Sequence, residues 1–541
     1  MEDEGVLGEV SIAEFPLNFL PLEPDLLSLE LEDSFSDLYL RKDPTPIFLA
    51  AKALMLLQQR HGLFPRITGK GDNAKRLADL LIRMRSEVAA GDDSSQRGGT
   101  PFGLTPSSTV DSLIIIDREV DFATPMVTQL TYEGLIEESM GIRHNQNEVD
   151  SSIVGGAPTQ QTTTTNSSKS PAPTQAPQGM KRKIQLDSSD KLYEQLRSLN
   201  FAVVGGRLNQ IARRLESDYQ SRHSAKSTSE LREFVSKLPS YQSEQQSLKV
   251  HTGLAEEILN YTQTEFFTRS LEVQHNLVGG ADPSTIHEDV EELIARDAPL
   301  ATVLRLLCLE SCLCGGLSTK DLDNFSRAIL QAYGFQHLLT LSALAKMQLL
   351  QSRNSANALR FPGTQGYPVH VSQTTYSSVR KSLRLIVDEV KPQDPTDIAY
   401  VYSGYAPLSV RLVQCIVQKS YLLSLTKGDS GNNGHAPGGA GQGWRGFEEV
   451  VKNVKGKTFD EVQRGEDKAV RARMILNGQS ERKTVLVFFL GGITFTEIAA
   501  LRFIAKKEEG KKTLNNSFVS GELTFYASQV DDSSSSVRHP S

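Results

Sequence analysis

The segment from residue 111 to residue 138, DSLIIIDREVDFATPMVTQLTYEGLIEE, constrains the fold of this chain more than any other. Its apolar run, residues 113–116, is too short for a helix and rich in β-branched residues, so it predicts a buried strand. After a charged turn at residues 117–119, Thr124 as N-cap and Pro125 at the first helical position predict the start of a helix. A strand, a loop and a helix in this order form the repeating unit of a parallel α/β sheet.

Signals of the same kind recur near both ends of the chain. Residues 45–58 and 73–88 predict helices, the first with apolar residues on several faces and the second with one apolar stripe. Residues 483–490 predict another buried strand. Thr494 and Glu497, which follow it, form a capping box and therefore predict the start of a helix.

The middle of the chain is almost entirely helical in its apolar periodicity. The simplest architecture is therefore α/β, a parallel-sheet domain interrupted by a large, mostly helical inserted domain. A Thr-, Ser- and Pro-rich stretch predicts a disordered linker with a solvated basic end, because it buries too little apolar surface to offset its ordering entropy. The expected units are residues 1–145 as the first part of the α/β domain, 151–185 as a disordered linker, 187–395 as the helical inserted domain with a hairpin at 201–239, 396–525 as the second part of the α/β domain with a Gly-rich insertion at 428–443, and 526–541 as a disordered tail.

The charge balance limits the kinds of partner that fit this chain. Its 541 residues carry 58 Lys and Arg against 65 Asp and Glu, a formal net charge of −7. A mildly acidic chain without a dominant basic block argues against nucleic acid as the main partner. No apolar run reaches the roughly 18 residues that span a bilayer, and the N-terminus lacks the basic region of a signal peptide. We therefore expect a cytoplasmic protein that reaches membranes only through partners.

The cysteines suggest structure rather than chemistry. Cys308, Cys312 and Cys314 lie close together in an apolar helical stretch, and Cys415 lies apart from them. This spacing admits a metal or redox site, but neither a His nor a paired CxxC completes one. Buried free thiols are the favoured interpretation, and they fit a reducing cytosol. We predict neither a metal site nor a cofactor.

Signals for catalysis are weak. Gly491 and Gly492 stand between a strand and a helix, where a phosphate can bind, but they lack the third glycine of a dinucleotide fingerprint, so a tight turn is favoured. Asp117 and Asp121 are a candidate carboxylate pair for acid/base chemistry. A structural ion pair between Arg118 and one of these carboxylates is the favoured interpretation. A nucleotide-binding α/β enzyme with a helical lid remains the alternative to a protein without enzymatic activity.

A helical hairpin is the better candidate for function. Apolar residues at alternating spacings of three and four form one stripe on a long helix that begins at Phe201. A second helix follows a short break and is predicted to end at Pro239. The basic polar side of this hairpin has two interpretations: a face that is simply solvated, or a face that binds an acidic amphipathic helix. Its basic residues are Arg207, Arg213, Arg214, Arg222 and Lys226.

Three long segments resemble one protein family. They are IDREVDFATPMVTQLTYEGLIEE from residue 116, DIAYVYSGYAPLSVR from residue 397 and VLVFFLGGITFTEIAALR from residue 485. Each resembles the Sec/Munc (SM) proteins, which regulate SNARE-driven membrane fusion, and the resemblance runs from about residue 15 to about residue 507. It implies a parallel-sheet domain with a mostly helical domain inserted in it, and a protein that is not an enzyme.

The resemblance also implies a role and partners. Such a protein binds a syntaxin-type SNARE and an R-SNARE and templates their assembly, as a subunit of HOPS- or CORVET-type tethering complexes that lie peripherally on vacuole, lysosome and late-endosome membranes. The basic residues of the hairpin become candidate SNARE contacts. Tyr333, Phe335 and Leu338 become candidate contacts for the partner tethering subunit, vacuolar protein sorting protein sixteen. Apolar residues at a bend fit a core position equally well, and both readings remain open.

Two parts of the chain depart from the family pattern. The match begins within what would be the second domain of the family, so we expect the first α/β domain to be missing. That domain forms half of the cleft for a syntaxin-type SNARE, and a scaffold that binds only the tether partner is therefore an alternative function. After about residue 510 the expected final strand and helix are not recognisable in the sequence.

Overall fold

A computed structural model describes most of the chain. The described residues are 18–92, 106–107, 109–154, 181–223, 228–353, 375–426, 443–462, 484–510 and 523–527. The Gly-rich insertion that was predicted at residues 428–443 lies outside them except for its last residue, and most of the predicted linker and tail lie outside them as well.

Most strands of the described residues join one mixed sheet, in the order β1-β2-β9-β8-β4-β3-β7, while β5 and β6 pair separately. The neighbours from β2 to β3 run parallel, and the edge strands β1 and β7 run antiparallel to their neighbours. The strands are β1 Leu20–Glu23, β2 Leu26–Ser28, β3 Arg66–Lys70, β4 Val110–Asp117, β5 Gln146–Asp150, β6 Lys181–Gln185, β7 Thr458–Val462, β8 Thr484–Leu490 and β9 Leu523–Ala527.

The centre of the sheet is formed by β4 and β8, in a register that places Ile114 opposite Val487 and Ile116 opposite Phe489. Helices cover both faces of these strands, so their sequences read as continuous apolar runs rather than as alternating ones. The side chain of Ile114 packs in the larger core of the molecule, whereas that of Ile115 packs in a second core under the sheet. The buried strands predicted from the sequence are thus confirmed.

Helices flank the sheet and form nearly all of the region between β6 and β7. Before that region they are α1 Thr45–His61, α2 Asp72–Asp92, α3 Ala123–Met126, α4 Tyr132–Met140 and α5 Ser151–Val154. Within it and after it they are α6 Lys191–Leu196, α7 Phe201–His223, α8 Thr228–Thr262, α9 Glu265–Gly279, α10 Pro283–Ala295, α11 Leu300–Cys314, α12 Thr319–Tyr333, α13 Leu338–Lys346, α14 Tyr376–Ser382, α15 Leu408–Val417, α16 Lys419–Thr426, α17 Glu448–Lys452 and α18 Phe495–Gly510. A π-helix, Ser36–Arg41, and 3-10 turns at Arg118–Val120, Phe335–His337 and Ile398–Val401 complete the helical elements of the described residues. The predicted class, an α/β fold interrupted by a mostly helical insertion, is confirmed.

The predicted helix start at Thr124 is wrong. Only one turn, α3, forms there, and the longer helix α4 begins at Tyr132 with Thr131 as its N-cap. Thr124 lies inside this turn, whose N-cap is Phe122 without a side-chain cap, and its buried hydroxyl donates to the Asp121 carboxylate at 2.5 Å. The real N-cap, Thr131, accepts the backbone N–H of Gly134 at 3.2 Å.

Three boundary predictions also need correction. The linker predicted at residues 151–185 is wrong at both ends, because 151–154 form α5 and Lys181–Gln185 form β6, which pairs with β5 and places Ile184 against the core. Pro239 does not end its helix but lies inside α8. Packing of the C-terminal half of α8 on α4, α6 and α9 outweighs the lost backbone hydrogen bond. A further strand, β9, pairs with β8 in the parallel sheet. It lies after about residue 510, where no final strand was recognisable in the sequence, and it includes the first two residues of the predicted tail.

Candidate functional site

The hairpin of α7 and α8 has one face on the body of the protein and one in solvent. The predicted apolar stripe of α7 is real, since Val204, Leu208 and Ile211 are all buried in the larger core. Arg213 lies on the opposite side of the helix, where its side chain is exposed. The amphipathic periodicity therefore anchors α7 and orients part of its basic face outward.

The predicted basic residues of the hairpin occupy different environments. Arg207 is exposed and donates to the side-chain oxygen of Gln210 at 2.8 Å. Arg214 bridges the two helices of the hairpin through an exposed ion pair with Glu244 at 3.1 Å. Such a pair contributes little to stability, so Arg214 stays accessible to a partner. The side chains of Arg222 and Lys226 lie outside the described residues.

The outward face of α7 also carries two glycines that the sequence analysis did not single out. Gly205 and Gly206 are exposed in the second turn of the helix, and a Cβ atom added at either would meet no other atom within 4 Å outside the local helix backbone. Glycine lowers helix stability by about 1 kcal/mol relative to alanine. No local packing contact requires these glycines, and the result is a smooth surface that a second helix can approach closely.

A buried polar network fixes the base of the hairpin. His251 of α8 lies between Asp190, whose carboxylate is 3.2 Å from Nε2, and the Tyr132 hydroxyl, 2.9 Å from Nδ1. Because a carboxylate only accepts, Nε2 donates to Asp190, while Nδ1 shares a hydrogen bond with the Tyr132 hydroxyl. Asp190 also caps α6 by accepting the N–H of Leu192 at 2.8 Å. Burial alone would raise the pKa of Asp190, but hydrogen bonds from His251 and Ser247 lower it below its usual range.

The sequence analysis missed this network because its members are far apart in the chain. Only the Asp190 N-cap had a local signal, an acidic residue directly before the helical run of α6. The network joins α4, next to the sheet, to α6 and α8 of the helical region. It therefore holds the hairpin in a defined position relative to the sheet.

The second candidate surface lies where α12 meets α13. Phe335 is 72% exposed and Leu338 is 46% exposed, so neither is a core residue. Tyr333 is only partly buried, and its hydroxyl donates to the carbonyl of Ala298 at 2.7 Å. Leu339, which is 80% exposed, completes the patch and was not among the predicted contacts. The patch formed by Phe335, Leu338 and Leu339 is hereafter called the apolar patch.

The carboxyl ends of the parallel strands, where α/β proteins usually bind ligands, are filled by the chain itself. Arg118 lies there with 1% exposure and forms a bidentate pair with Glu497, at 2.9 and 3.0 Å. The predicted partner Asp121 offers its backbone carbonyl at 2.8 Å, with its carboxylate farther away at 3.8 Å. The ion pair was therefore predicted correctly as a structural one, but its main partner, Glu497, was missed.

Carboxylates also occupy the position at the start of α2 where a phosphate would bind. The N–H of Asp72 donates to Glu119 at 2.8 Å, and that of Asn73 donates to Asp117 at 2.7 Å. Burial and the nearby Glu119 carboxylate raise the pKa of Asp117 to about 7, and Asp117 also accepts from the Tyr39 hydroxyl. Two carboxylates in this place repel a phosphate, which argues against the nucleotide-binding alternative.

The prediction of buried free thiols is confirmed for two of the four cysteines. All four are free thiols, with Cys308 and Cys415 buried and the other two partly buried. Among the described residues no cluster of His, Cys, Asp and Glu suits a metal ion. A search of the same residues finds no helix that combines the length and the apolar character of a membrane span.

Comparisons with known proteins connect this geometry to a family. A model described as the Sec1 family matches residues 2–521. The chain is 38% identical over 511 residues to vacuolar protein sorting-associated protein 33A of Rattus norvegicus, with 94% of this chain and 75% of that relative covered. It is 34% identical over 512 residues to vacuolar protein sorting-associated protein 33 of Schizosaccharomyces pombe, with 94% and 76% covered.

Solved structures share the fold. A crystal structure of the Unc18–syntaxin 1 complex from Monosiga brevicollis aligns with a TM-score of 0.55 at 15% identity, covering 95% of this chain and 74% of that one. The SM protein Vps45 in complex with the Qa SNARE Tlg2 aligns with a TM-score of 0.55 at 16% identity, covering 98% and 77%. At such identities the likeness concerns the fold alone.

Proposed function

The chain belongs to the Sec1 family, and on this premise we propose that it is a non-enzymatic SM protein that binds SNARE helices. The observation that carries the proposal is the hairpin of α7 and α8, which presents exposed Arg207, Arg213 and Arg214 from a base fixed to the body of the protein. The two SM proteins with similar folds are named in complexes with syntaxin 1 and with the Qa SNARE Tlg2. SNARE motifs are amphipathic helices whose outer faces are often acidic, which matches the charge of the hairpin.

The geometry of α7 supports binding of a helix rather than of an extended peptide. Gly205 and Gly206 remove side-chain bulk from the outward face, and Arg213 lies about two turns farther along it. A helix can therefore approach the backbone near the glycines while its carboxylates meet the arginines. We place this contact in the helical inserted domain, residues 187–395.

Binding two SNARE helices side by side would make the protein a template. The bound helices are already ordered, so the entropy cost of bringing them together is met before they zipper. We propose that this occurs with a syntaxin-type SNARE and an R-SNARE during vesicle tethering and fusion at vacuole, lysosome and late-endosome membranes, with the chain acting as a HOPS- or CORVET-type subunit. The relatives that support this placement are named for vacuolar protein sorting.

The apolar patch is proposed as the docking site for the partner tethering subunit, vacuolar protein sorting protein sixteen. Exposed aromatic and aliphatic residues in a cluster are the usual anchors of protein interfaces. Phe335 and Leu339 are exposed to 72% and 80%, and Tyr333 packs at the edge of the patch.

Capture experiments test both surfaces in one design. The purified chain is mixed with two baits, the C-terminal part of the tether partner and a vacuolar pair of syntaxin-type SNARE and R-SNARE. We expect Arg207→Glu/Arg213→Glu to reduce SNARE capture at least about fivefold and to leave tether capture unchanged. Phe335→Ala should have the opposite effect. A control variant, Lys191→Glu/Lys391→Glu, makes the same change in net charge at two exposed lysines on other segments.

The alternative function, a scaffold that binds only the tether partner, has its own outcome in this experiment. Capture of the tether partner without the SNAREs, by a chain that unfolds cooperatively, would replace the template proposal with the scaffold. Capture of neither bait would refute both. Equal loss of SNARE capture in the arginine variant and the lysine control would assign the effect to net charge rather than to the hairpin.

A further inference from the structure

A group of basic side chains surrounds Glu119 where the α/β body meets α13. Lys455 lies 3.7 Å from the Glu119 carboxylate and donates to the side chain of Gln348 at 3.0 Å. Gln348 follows Lys346, the last residue of α13, by two positions. Glu119 in turn accepts from the first residue of α2, one turn before Arg76. These contacts bring together cations from three different parts of the chain.

Lys42 is the fourth member of this group. It ends the π-helix that carries Tyr39, and its φ angle of +61° lies in the left-handed region, which a lysine rarely adopts. Burial, together with Lys455 and other nearby cations, lowers the pKa of Lys42. The left-handed conformation is that of a helix C-cap, and the backbone N–H of Lys42 donates to the carbonyl of Asp37. The residues Lys42, Arg76, Lys346 and Lys455 are hereafter called the basic cluster.

Two carboxylates beside the basic cluster, Glu119 and Asp72, already accept backbone N–H groups. Glu119 is mostly buried, accepts the backbone N–H at the start of α2 and lies 3.7 Å from the Lys455 ammonium group. Asp72, at the rim, accepts the backbone N–H of Lys457 at 3.1 Å. The four cations of the cluster outnumber these two carboxylates.

The outer face of α13 connects the basic cluster to the apolar patch. Leu339, Ser342 and Lys346 follow one another at spacings of three and four, and all three are exposed. Ala345 is also exposed on this side, so only small side chains lie between the leucines and the lysine. The helix is nine residues long, which separates the two ends of the face by about 13 Å.

We propose that the apolar patch, the outer face of α13 and the basic cluster form one continuous docking surface for an acidic amphipathic helix of the partner tethering subunit. Apolar side chains at one end of that helix pack on Phe335 and Leu339. Carboxylates two to three turns farther along it pair with Lys42, Arg76 and Lys346. The small residues Ser342 and Ala345 let the two helices approach closely. This inference rests on the proposed docking of the tether partner and adds the chemistry and length of the docking segment.

A protein helix fits this surface better than a membrane does. Lys455 has a side-chain exposure of 22% and lies against Phe122 and Glu119, so it is recessed between elements. Because Lys455 is recessed while Lys42, Arg76 and Lys346 are exposed, a side-chain carboxylate can reach all four cations, whereas a flat bilayer reaches only the exposed three. The charge arrangement, four cations around one carboxylate, suits discrete acidic residues rather than a uniform anionic surface.

The test measures the affinity of the full chain for the C-terminal part of the tether partner as a function of salt. We expect Lys42→Glu/Lys346→Glu to weaken binding at least about tenfold at low salt, with a difference that shrinks as salt screens the charges. Lys191→Glu/Lys391→Glu should stay within about twofold of the original chain. Phe335→Ala should weaken binding to a similar extent at every salt concentration, because its contact is apolar.

Each further outcome separates the inference from the proposed function. If Phe335→Ala weakens binding while the Lys42/Lys346 variant behaves like its control, docking at the apolar patch stands and the basic cluster has no part in it. If Phe335→Ala has no effect, the docking proposal itself fails and the inference with it. Vesicles of phosphatidylserine and phosphatidylcholine test the other source of negative charge. Loss of vesicle binding in the charge-reversal variant, with tether binding unchanged, would replace the partner helix with a membrane.

Discussion

Removing Arg118 tests the most deeply buried charge cluster of the α/β body. Its guanidinium is 1% exposed and donates to both oxygens of Glu497 and, at 2.8 and 3.0 Å, to the carbonyl of Asp121. Arg118→Met keeps an unbranched apolar stem but removes the guanidinium, and so leaves the carboxylates of Glu497 and Asp121 buried without their cation. The same change therefore removes hydrogen bonds and creates uncompensated buried charge.

The size of the effect follows from the donors that remain. Breaking a buried ion pair by removing one partner costs about 3–5 kcal/mol. Glu497 keeps the N–H of Thr494 at 2.9 Å, and Asp121 keeps the N–H groups of Thr124 and Ser409 at 3.0 and 2.9 Å. Because both carboxylates retain strong donors, we expect a loss near the lower end, about 3 kcal/mol in the free energy of unfolding.

The chain contains a single tryptophan, which makes the assay specific to this region. Trp444 is buried, and its indole N–H donates to the carbonyl of Phe459 in β7 at 3.2 Å. Urea unfolding followed by its fluorescence therefore reports on the sheet that Arg118 stabilises. As a control, Arg214→Met removes a well-exposed ion pair and should cost less than about 1 kcal/mol.

A double variant decides whether uncompensated charge is the cause. Arg118→Met/Glu497→Met removes both charges and should recover part of the loss, since apolar replacements of a buried pair are often well tolerated. The reasoning is refuted if Arg118→Met costs no more than Arg214→Met. It is also refuted if the double variant is as unstable as the sum of the two single variants.

Three further predictions concern other groups. Gly206→Ala should raise the free energy of unfolding by about 1 kcal/mol, because the added Cβ meets open space. Gly491→Ala should lower it, since φ is +91° at this position and the added Cβ would lie 2.8 Å from the Tyr39 ring. The urea midpoints of the two variants and the original chain measure both effects. Burial and the Glu119 carboxylate raise the pKa of Asp117 to about 7 in the folded chain, so the folded state holds this proton more tightly than the unfolded state, and stability falls as the pH rises from about 4 to about 7. Asp117→Asn should flatten that pH dependence of the urea midpoint, and an unchanged profile would contradict the assignment. Burial raises the pKa of Cys312 and of Cys415 to about 12. A disulfide reagent at pH 8 should therefore label both thiols far more slowly in the native chain than in urea. Equal labelling rates in the two conditions would show that the thiols are exposed.

The elements that could be predicted from the sequence are those whose cause is local. An apolar run produced β4 and β8, and the capping box at Thr494 and Glu497 formed as expected, with reciprocal bonds of 2.9 and 3.2 Å. The three family segments pointed to the correct family. Pro239 shows the limit of local reasoning, because its cost to α8 is outweighed by packing of residues that follow it much later in the helix.

Partners that are distant in the chain could not be predicted. Glu497 was recognised as half of a capping box, but its pairing with Arg118 depends on the register of β4 against β8, which no local pattern encodes. His251 and Asp190 meet for the same reason, since α8 must first pack on α6. Residue types indicate what a group can bind, whereas the fold decides which group it meets.

The difference between residue type and position in the fold also explains why only some residues of the candidate interaction surfaces were predicted. Phe335 and Leu338 were proposed for their chemistry, and the structure then removed the core interpretation because both are exposed. Leu339 and Lys346 became candidates only when α13 placed them on one face. A surface that joins an apolar anchor to a cluster of cations is a property of the folded chain, because its lysines come from elements more than four hundred residues apart, Lys42 and Lys455. The proposed docking therefore depends on the position of α13 against the sheet, and we expect variants that shift α13 to impair docking even when every contact residue is intact.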